Sequence, residues 1–180
     1  MVRRHSKILL PVLIACCVIA FAAGTVTLNA TTVGQELENV QIKDSSNNPS
    51  MIPDLGAKVV TIFYTDPDKK DIQDPLIDAI KAKNFDKSKY RGVGIANLKD
   101  SGLPNFILRA AIRGKEKKYN SQVLTDTDLT LPKAWAFGDC NDTSVVVVIG
   151  KDKKVKYFYK GGVRGAEIDN VVKLIEDLIK

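Results

Sequence analysis

The sequence predicts an α/β domain in which helices cover both faces of a central mixed sheet. Three observations carry that expectation. Residues 58–65 hold a nearly continuous apolar run, Val59, Val60, Ile62, Phe63 and Tyr64, as a strand buried on both faces requires. Val145, Val146, Val147, Val148 and Ile149 place five apolar β-formers in a row. Between and after these runs the apolar residues recur at helical spacing, most clearly as Ile168, Val171, Val172, Ile175, Leu178 and Ile179. Helices interleaved with strands need a sheet that buries both faces.

Taken in order, an early strand precedes a turn-rich loop over residues 43–55, built of Asp, Ser, Asn, Pro and Gly. The strand at 58–65 is followed by a helix carrying Leu76, Ile77 and Ile80, with Asp74 as its cap and Pro75 at its first position, or with an earlier start. Residues 93–98 form the next strand. The following helix aligns Leu103, Phe106, Ile107, Ala110 and Ala111 as its apolar stripe, with Pro104 in the first turn. A short strand at 122–125 leads to a brief helix at 131–137. The strand at 145–149 turns at Gly150-Lys151-Asp152-Lys153 into a partner strand at 155–159, on which Val155, Tyr157 and Tyr159 share one face.

The first thirty residues are of another kind. Arg3, Arg4 and Lys7 precede an uncharged run from residue 8 to 30, whose apolar part, 8–23, spans sixteen residues. A membrane span usually needs ~20 residues, and a shorter run behind a basic start fits a signal peptide. Cleavage frames end at Ala22-Ala23-Gly24 and at Leu28-Asn29-Ala30, and an uncleaved anchor is the alternative. Leu13-Ile14-Ala15-Cys16 resembles a lipidation site. However, the apolar continuation Cys17-Val18-Ile19-Ala20-Phe21 argues against Cys16 as a lipid carrier, which normally precedes a polar tether. The expected division is a signal peptide at 1–30 and one domain at 31–180, with export to the periplasm and membrane contact only through an uncleaved N-terminal segment.

Charge and composition exclude several chemistries. The whole chain has 27 basic and 21 acidic side chains, and three of the basic ones lie in the leader. The domain therefore keeps 24 against 21, a net charge of +3. That gives no support to a nucleic-acid partner. The clusters Lys115-Glu116-Lys117-Lys118 and Lys151-Asp152-Lys153-Lys154 are interrupted by acids and read as solvated turns. After the leader there is no histidine, and Cys140 is the single cysteine. The domain thus has no disulfide of its own, no histidine base and no histidine-bearing zinc site.

The order of elements, and the segment from Gln122 through Lys133-Ala134-Trp135-Ala136-Phe137, resemble the thioredoxin-like fold in its peroxiredoxin-type elaboration. Leu76-Ile77-Asp78-Ala79-Ile80-Lys81-Ala82, Lys133-Ala134-Trp135 and the hairpin over 145–161 resemble, in order and spacing, the YtfJ family of bacterial periplasmic proteins. The resemblance covers almost the whole chain after the leader. It implies a fold and a compartment, and transfers no catalytic residue. It also implies where a redox site would stand. Thioredoxin-like enzymes place the reactive cysteine just beyond the first central strand, where this chain has Thr65-Asp66-Pro67-Asp68-Lys69-Lys70-Asp71. They place a cis-proline before the strand that opens the hairpin, where this chain has Asn141-Asp142-Thr143-Ser144.

The same fold implies an exposed corner between those two segments, built here from Tyr64, Asp66, Asp68, Asn141, Asp142 and Thr143. Its acidity would favour a basic or hydrogen-bond-donating protein partner. Asp66, Asp68, Asp71 and Asp74 match no calcium-loop spacing, so a helix end favoured by negative charge explains them better than a metal. Cys140, between Asp139 and Asp142, has neighbours that disfavour a thiolate. Gly161-Gly162-Val163-Arg164-Gly165 lacks the lysine of a phosphate loop and reads as a turn. Trp135, Tyr157 and Tyr159 read as core or half-buried aromatics. The expected function is therefore a non-catalytic periplasmic binding or adaptor protein, without cofactor or metal. The alternative is a redox protein that works through Cys140 with a partner thiol.

Overall fold

The computed structural model describes residues 30–119 and 121–180. The signal-peptide reading, with Cys16 and Cys17, lies outside the described residues. Among the described residues, no helix is long and apolar enough to cross a membrane.

Among the described residues, seven strands form one mixed sheet. They are β1 (Gln41–Lys43), β2 (Pro49–Met51), β3 (Val59–Thr65), β4 (Tyr90–Asn97), β5 (Val123–Asp126), β6 (Ser144–Ile149) and β7 (Val155–Lys160), in the spatial order β2-β1-β5-β4-β3-β6-β7. β3, β4 and β5 are parallel, whereas β6 runs antiparallel to β3 and β7 antiparallel to β6. The helices are α1 (Asp74–Ala82), α2 (Asn105–Tyr119), α3 (Thr130–Trp135) and α4 (Ala166–Leu178).

The two-residue period of β3 and β6 divides the core into two layers. Val60, Ile62, Tyr64, Val145, Val147 and Ile149 pack with Leu131, Trp135 and Phe137 around α3. Val59, Phe63, Val146 and Val148 pack with Leu76, Ile80, Val171, Val172 and Ile175 of α1 and α4. Each of these side chains, fully buried, stabilises by about 1.5–3 kcal/mol. That is why the two continuous apolar strands sit side by side at the centre.

Several expectations are corrected. The loop at 43–55 contains β2, which pairs antiparallel with β1. Asp74 does not cap α1; it is the first helical residue and Gln73 holds the cap position without a capping side chain. The Gln73 amide is committed elsewhere: Nε2 donates to Gly161 O (2.6 Å), and Oε1 accepts from Val163 N (3.3 Å). Val155 and Tyr157 do not share a face. A bulge sets Ile149 opposite Val155 but Val148 opposite Tyr157, so Val155 joins the α3 layer and Tyr157 packs on the other. Tyr159, stacked on Tyr157, is exposed.

α2 departs most from expectation, and it begins at Asn105, so Leu103 and Pro104 precede the helix rather than lying in its first turn. Its expected apolar stripe faces solvent: Leu103, Phe106, Ile107, Ala110 and Ala111 are all exposed. The helix is held by polar contacts instead. Arg109 Nη1 donates to Asp44 O and Thr125 Oγ1 (2.6 Å each), and Arg113 Nη1 to Ser45 O (2.9 Å). Glu116 accepts from Ser45 Oγ (2.5 Å) and Val123 N (2.7 Å). The cluster at residues 115–118 is therefore the end of a helix, not a turn.

Candidate functional site

The expected corner forms where β3 ends beside the loop that precedes β6. Asp66 N donates to Thr143 O (3.0 Å), and the Thr65 and Ser144 hydroxyls meet at 2.8 Å. A 3-10 turn, Pro67–Lys69, then leads the chain toward α1.

The six candidate residues come together in two depths. Tyr64 and Asp66 are buried, at 0% and 1% exposure, so the exposure expected of them is corrected. Tyr64 packs edge-on against Phe137 at 5.9 Å, and its hydroxyl lies 3.4 Å from the Asp126 carboxylate. Burial, then the charge of Asp126, pushes its phenol far above the ordinary value of 10.0. The Asp66 carboxylate is turned inward: Oδ1 accepts from Asp68 N and Oδ2 from Asp142 N, both at 2.9 Å. Asp68, Asn141 and Asp142 are exposed, Thr143 is half-buried, and these four make the accessible rim.

Two cations were missed by a reading that counted the acids alone. Lys69 Nζ lies 3.6 Å from Asp142 Oδ1, and Lys160 Nζ donates to Phe137 O (3.5 Å). The hairpin register carried the signal for Lys160, since β7 ends opposite Val145, next to the corner. Of the four clustered acids, Asp74 lies in the first turn of α1, as the helix-end reading expects.

Cys140 is 1% exposed, and its Sγ donates to Gly138 O (3.5 Å). Burial pushes its thiol up to about 11, against the nearby Lys160 and with help from Asp139, Asp100 and Asp126. The sequence reading named the acids, but burial is the larger cause.

From Phe137 to Thr143 the chain links this rim to an open pocket of about 360 Å³. Ala30, Leu129, Pro132, Ala136, Phe137 and Gly138 line it together with Lys133. Leu129 and Ala136, at φ 54° and 57°, adopt the left-handed conformation on either side of α3. A carboxylate rim beside an apolar pocket can hold a cationic group and an apolar side chain at once.

Asp126, at the end of β5, also turns its carboxylate inward. Oδ1 accepts from Asp128 N (3.2 Å) and Thr130 N (2.9 Å), and Oδ2 accepts from Leu131 N (2.9 Å). The aspartate closing β5 thereby fixes the start of α3.

Solved structures similar to this chain share its fold. The exposed lipoprotein thioredoxin of Streptococcus pneumoniae superposes with a TM-score of 0.59 at 14% identity, over 78% of this chain and 100% of its own. A DsbF homologue from Corynebacterium diphtheriae gives 0.60 at 12%, over 81% and 87%. Peroxidoxin BcpB from Mycobacterium tuberculosis gives 0.58 at 16%, over 84% and 100%. The fold is thioredoxin-like. Among sequences, an uncharacterised protein of Haemophilus influenzae is 29% identical over 142 residues, covering 77% of this chain and 76% of its own length. Protein YtfJ of Escherichia coli, also uncharacterised, is 29% identical over 108 residues, 58% of this chain and 57% of its own. The model of one family, bacterial proteins of unknown function (YtfJ_HI0045), matches residues 49–178, and the chain belongs to that family.

Proposed function

We propose that this chain is an exported thioredoxin-like protein that holds a protein partner in the cell envelope and performs no thiol–disulfide exchange of its own. The observation that carries the reading is the Asp66 carboxylate, which stands at the β3 end and ties Asp142 N and Asp68 N inward. A group locked into two backbone hydrogen bonds serves the architecture of the corner, and leaves recognition to its rim. Burial of Cys140, with its thiol pushed up to about 11, disfavours the thiolate that the competing redox reading requires. Export rests on the basic start and the sixteen-residue apolar run. The rim of Asp68, Asn141, Asp142 and Thr143, with the apolar pocket beside it, suits a peptide-like segment that carries one basic and one apolar side chain.

Crosslinking capture from the envelope fraction tests this. Asp68→Asn and Asp142→Asn remove two charges while keeping shape, and asparagine tolerates the left-handed backbone at Asp142 (φ 53°). Capture should fall severalfold. The melting temperature should barely move, because exposed ion pairs such as Lys69–Asp142 contribute about 0–1 kcal/mol. Undiminished capture by the folded double variant would place binding elsewhere. Mass spectrometry of the same fraction should find a mature N-terminus between Thr25 and Thr31. A soluble full-length chain confined to the cytosol would contradict export.

A further inference from the structure

Among the described residues, six large apolar side chains are exposed, and three of them are Leu103 (52%), two residues before α2, and Phe106 (72%) and Ile107 (43%) in its first turn. Residues 106, 107, 110 and 114 of α2 fall on one side of a helix that repeats every 3.6 residues. Leu108 and Arg109 are buried away from that side, and Arg109 and Glu116, with Arg113 at the edge of the exposed side, make the polar contacts that hold α2. Among the described residues, neither core layer includes this apolar side.

The charge of the helix says what fits there. α2 carries Arg109, Arg113, Lys115, Lys117 and Lys118 against one acid, Glu116, whose carboxylate is already taken by Ser45 and Val123 N. Lys117 is exposed and follows residues 106, 110 and 114 along the same side. Two turns of apolar surface fall well short of the ~800 Å² per partner that a stable dimer needs, and two copies would bring like charges together. A short apolar stripe continued by cations is the pattern of a helix lying in a lipid interface.

We propose that the exposed side of α2 docks on an anionic lipid surface, with Phe106 and Ile107 entering the acyl boundary and Lys117 among the headgroup phosphates. The proposal places a membrane contact in the folded domain, beyond the N-terminal segment that the sequence reading allowed for. It is independent of the partner-binding corner.

The test is position-specific, so the apolar N-terminal run can remain in the chain. In the full chain carrying Phe106→Trp, the new indole reports the helix, while Trp135, 1% exposed, is a constant background. Emission should shift to the blue with vesicles of mixed phosphatidylglycerol and phosphatidylcholine. It should be quenched by bilayer spin labels and return toward its free value in high salt. Adding Ile107→Ser should weaken the partition about tenfold. Adding Lys117→Glu should weaken it by a similar factor, and both variants should keep their circular dichroism melts. An unmoved emission, or an equal shift on phosphatidylcholine alone, would overturn the proposal. So would a shift that grows with protein concentration without lipid, which would identify a second copy as the occupant.

Discussion

Asp66→Ala should destabilise the protein by about 3 kcal/mol, because it leaves the Asp68 and Asp142 amides without the carboxylate they now share. For a domain of this size the melting temperature should fall by roughly 6–12 °C. Asp66→Asn keeps one acceptor oxygen and should lose about half as much. Asp68→Ala, two residues away and exposed, should stay within about 0.5 kcal/mol. Amide exchange at Asp142 should quicken in Asp66→Ala, since the loop before β6 is then tied to β3 chiefly through Asp66 N, Thr65 and Ser144. An unchanged melt in Asp66→Ala would mean that the carboxylate is not a clasp and remains available to a ligand.

Asp126→Ala should cost as much or more, about 3–4 kcal/mol, because three backbone N–H groups lose their acceptor together. These amides hold the turn in which Leu129 takes a left-handed conformation, and from which α3 carries Leu131 and Trp135 into the core. Asp128→Ala, on the exposed side of the same turn, should have little effect. Urea titrations of the two variants check the contrast. Equal midpoints would show that Asp126 contributes no more than a surface charge.

Both aspartates mark the limit of what the sequence could disclose. Their partners are backbone amides, and the one that matters most for the corner lies 76 residues from Asp66. A loop acid facing a distant amide looks, in the sequence, like a loop acid facing water. The central strands and α4 were legible because their apolar runs are long enough to specify both layers. β6 extends the expected run by a single residue, Ser144, and the α4 stripe packs where its period placed it.

α2 shows the complementary failure. Periodicity groups Phe106, Ile107, Ala110 and Ala111 correctly but starts the helix too early, and it cannot say that Arg109 and Arg113 would hold the helix by reaching the carbonyls of Asp44 and Ser45. The β7 bulge likewise leaves no trace in an alternating pattern, and so reverses the face of Val155. The strand order brings the end of β3 beside the loop before β6. Which of the corner's residues are accessible was decided by hydrogen bonds that only the fold brings together.

Turnover of thiols is the most direct measurement of whether this thioredoxin-like domain has left redox chemistry. Purified protein should be given insulin disulfides with a dithiol reductant, and hydrogen peroxide in a separate reaction, at neutral pH. A thiol raised from 9.0 to about 11 keeps about 100-fold less thiolate there, and Cys140 is also shielded from substrate. The rates should match a buffer control, and Cys140→Ser should change nothing. Turnover above that control which disappears in Cys140→Ser would contradict the binding-protein reading and establish the chain as a thiol enzyme.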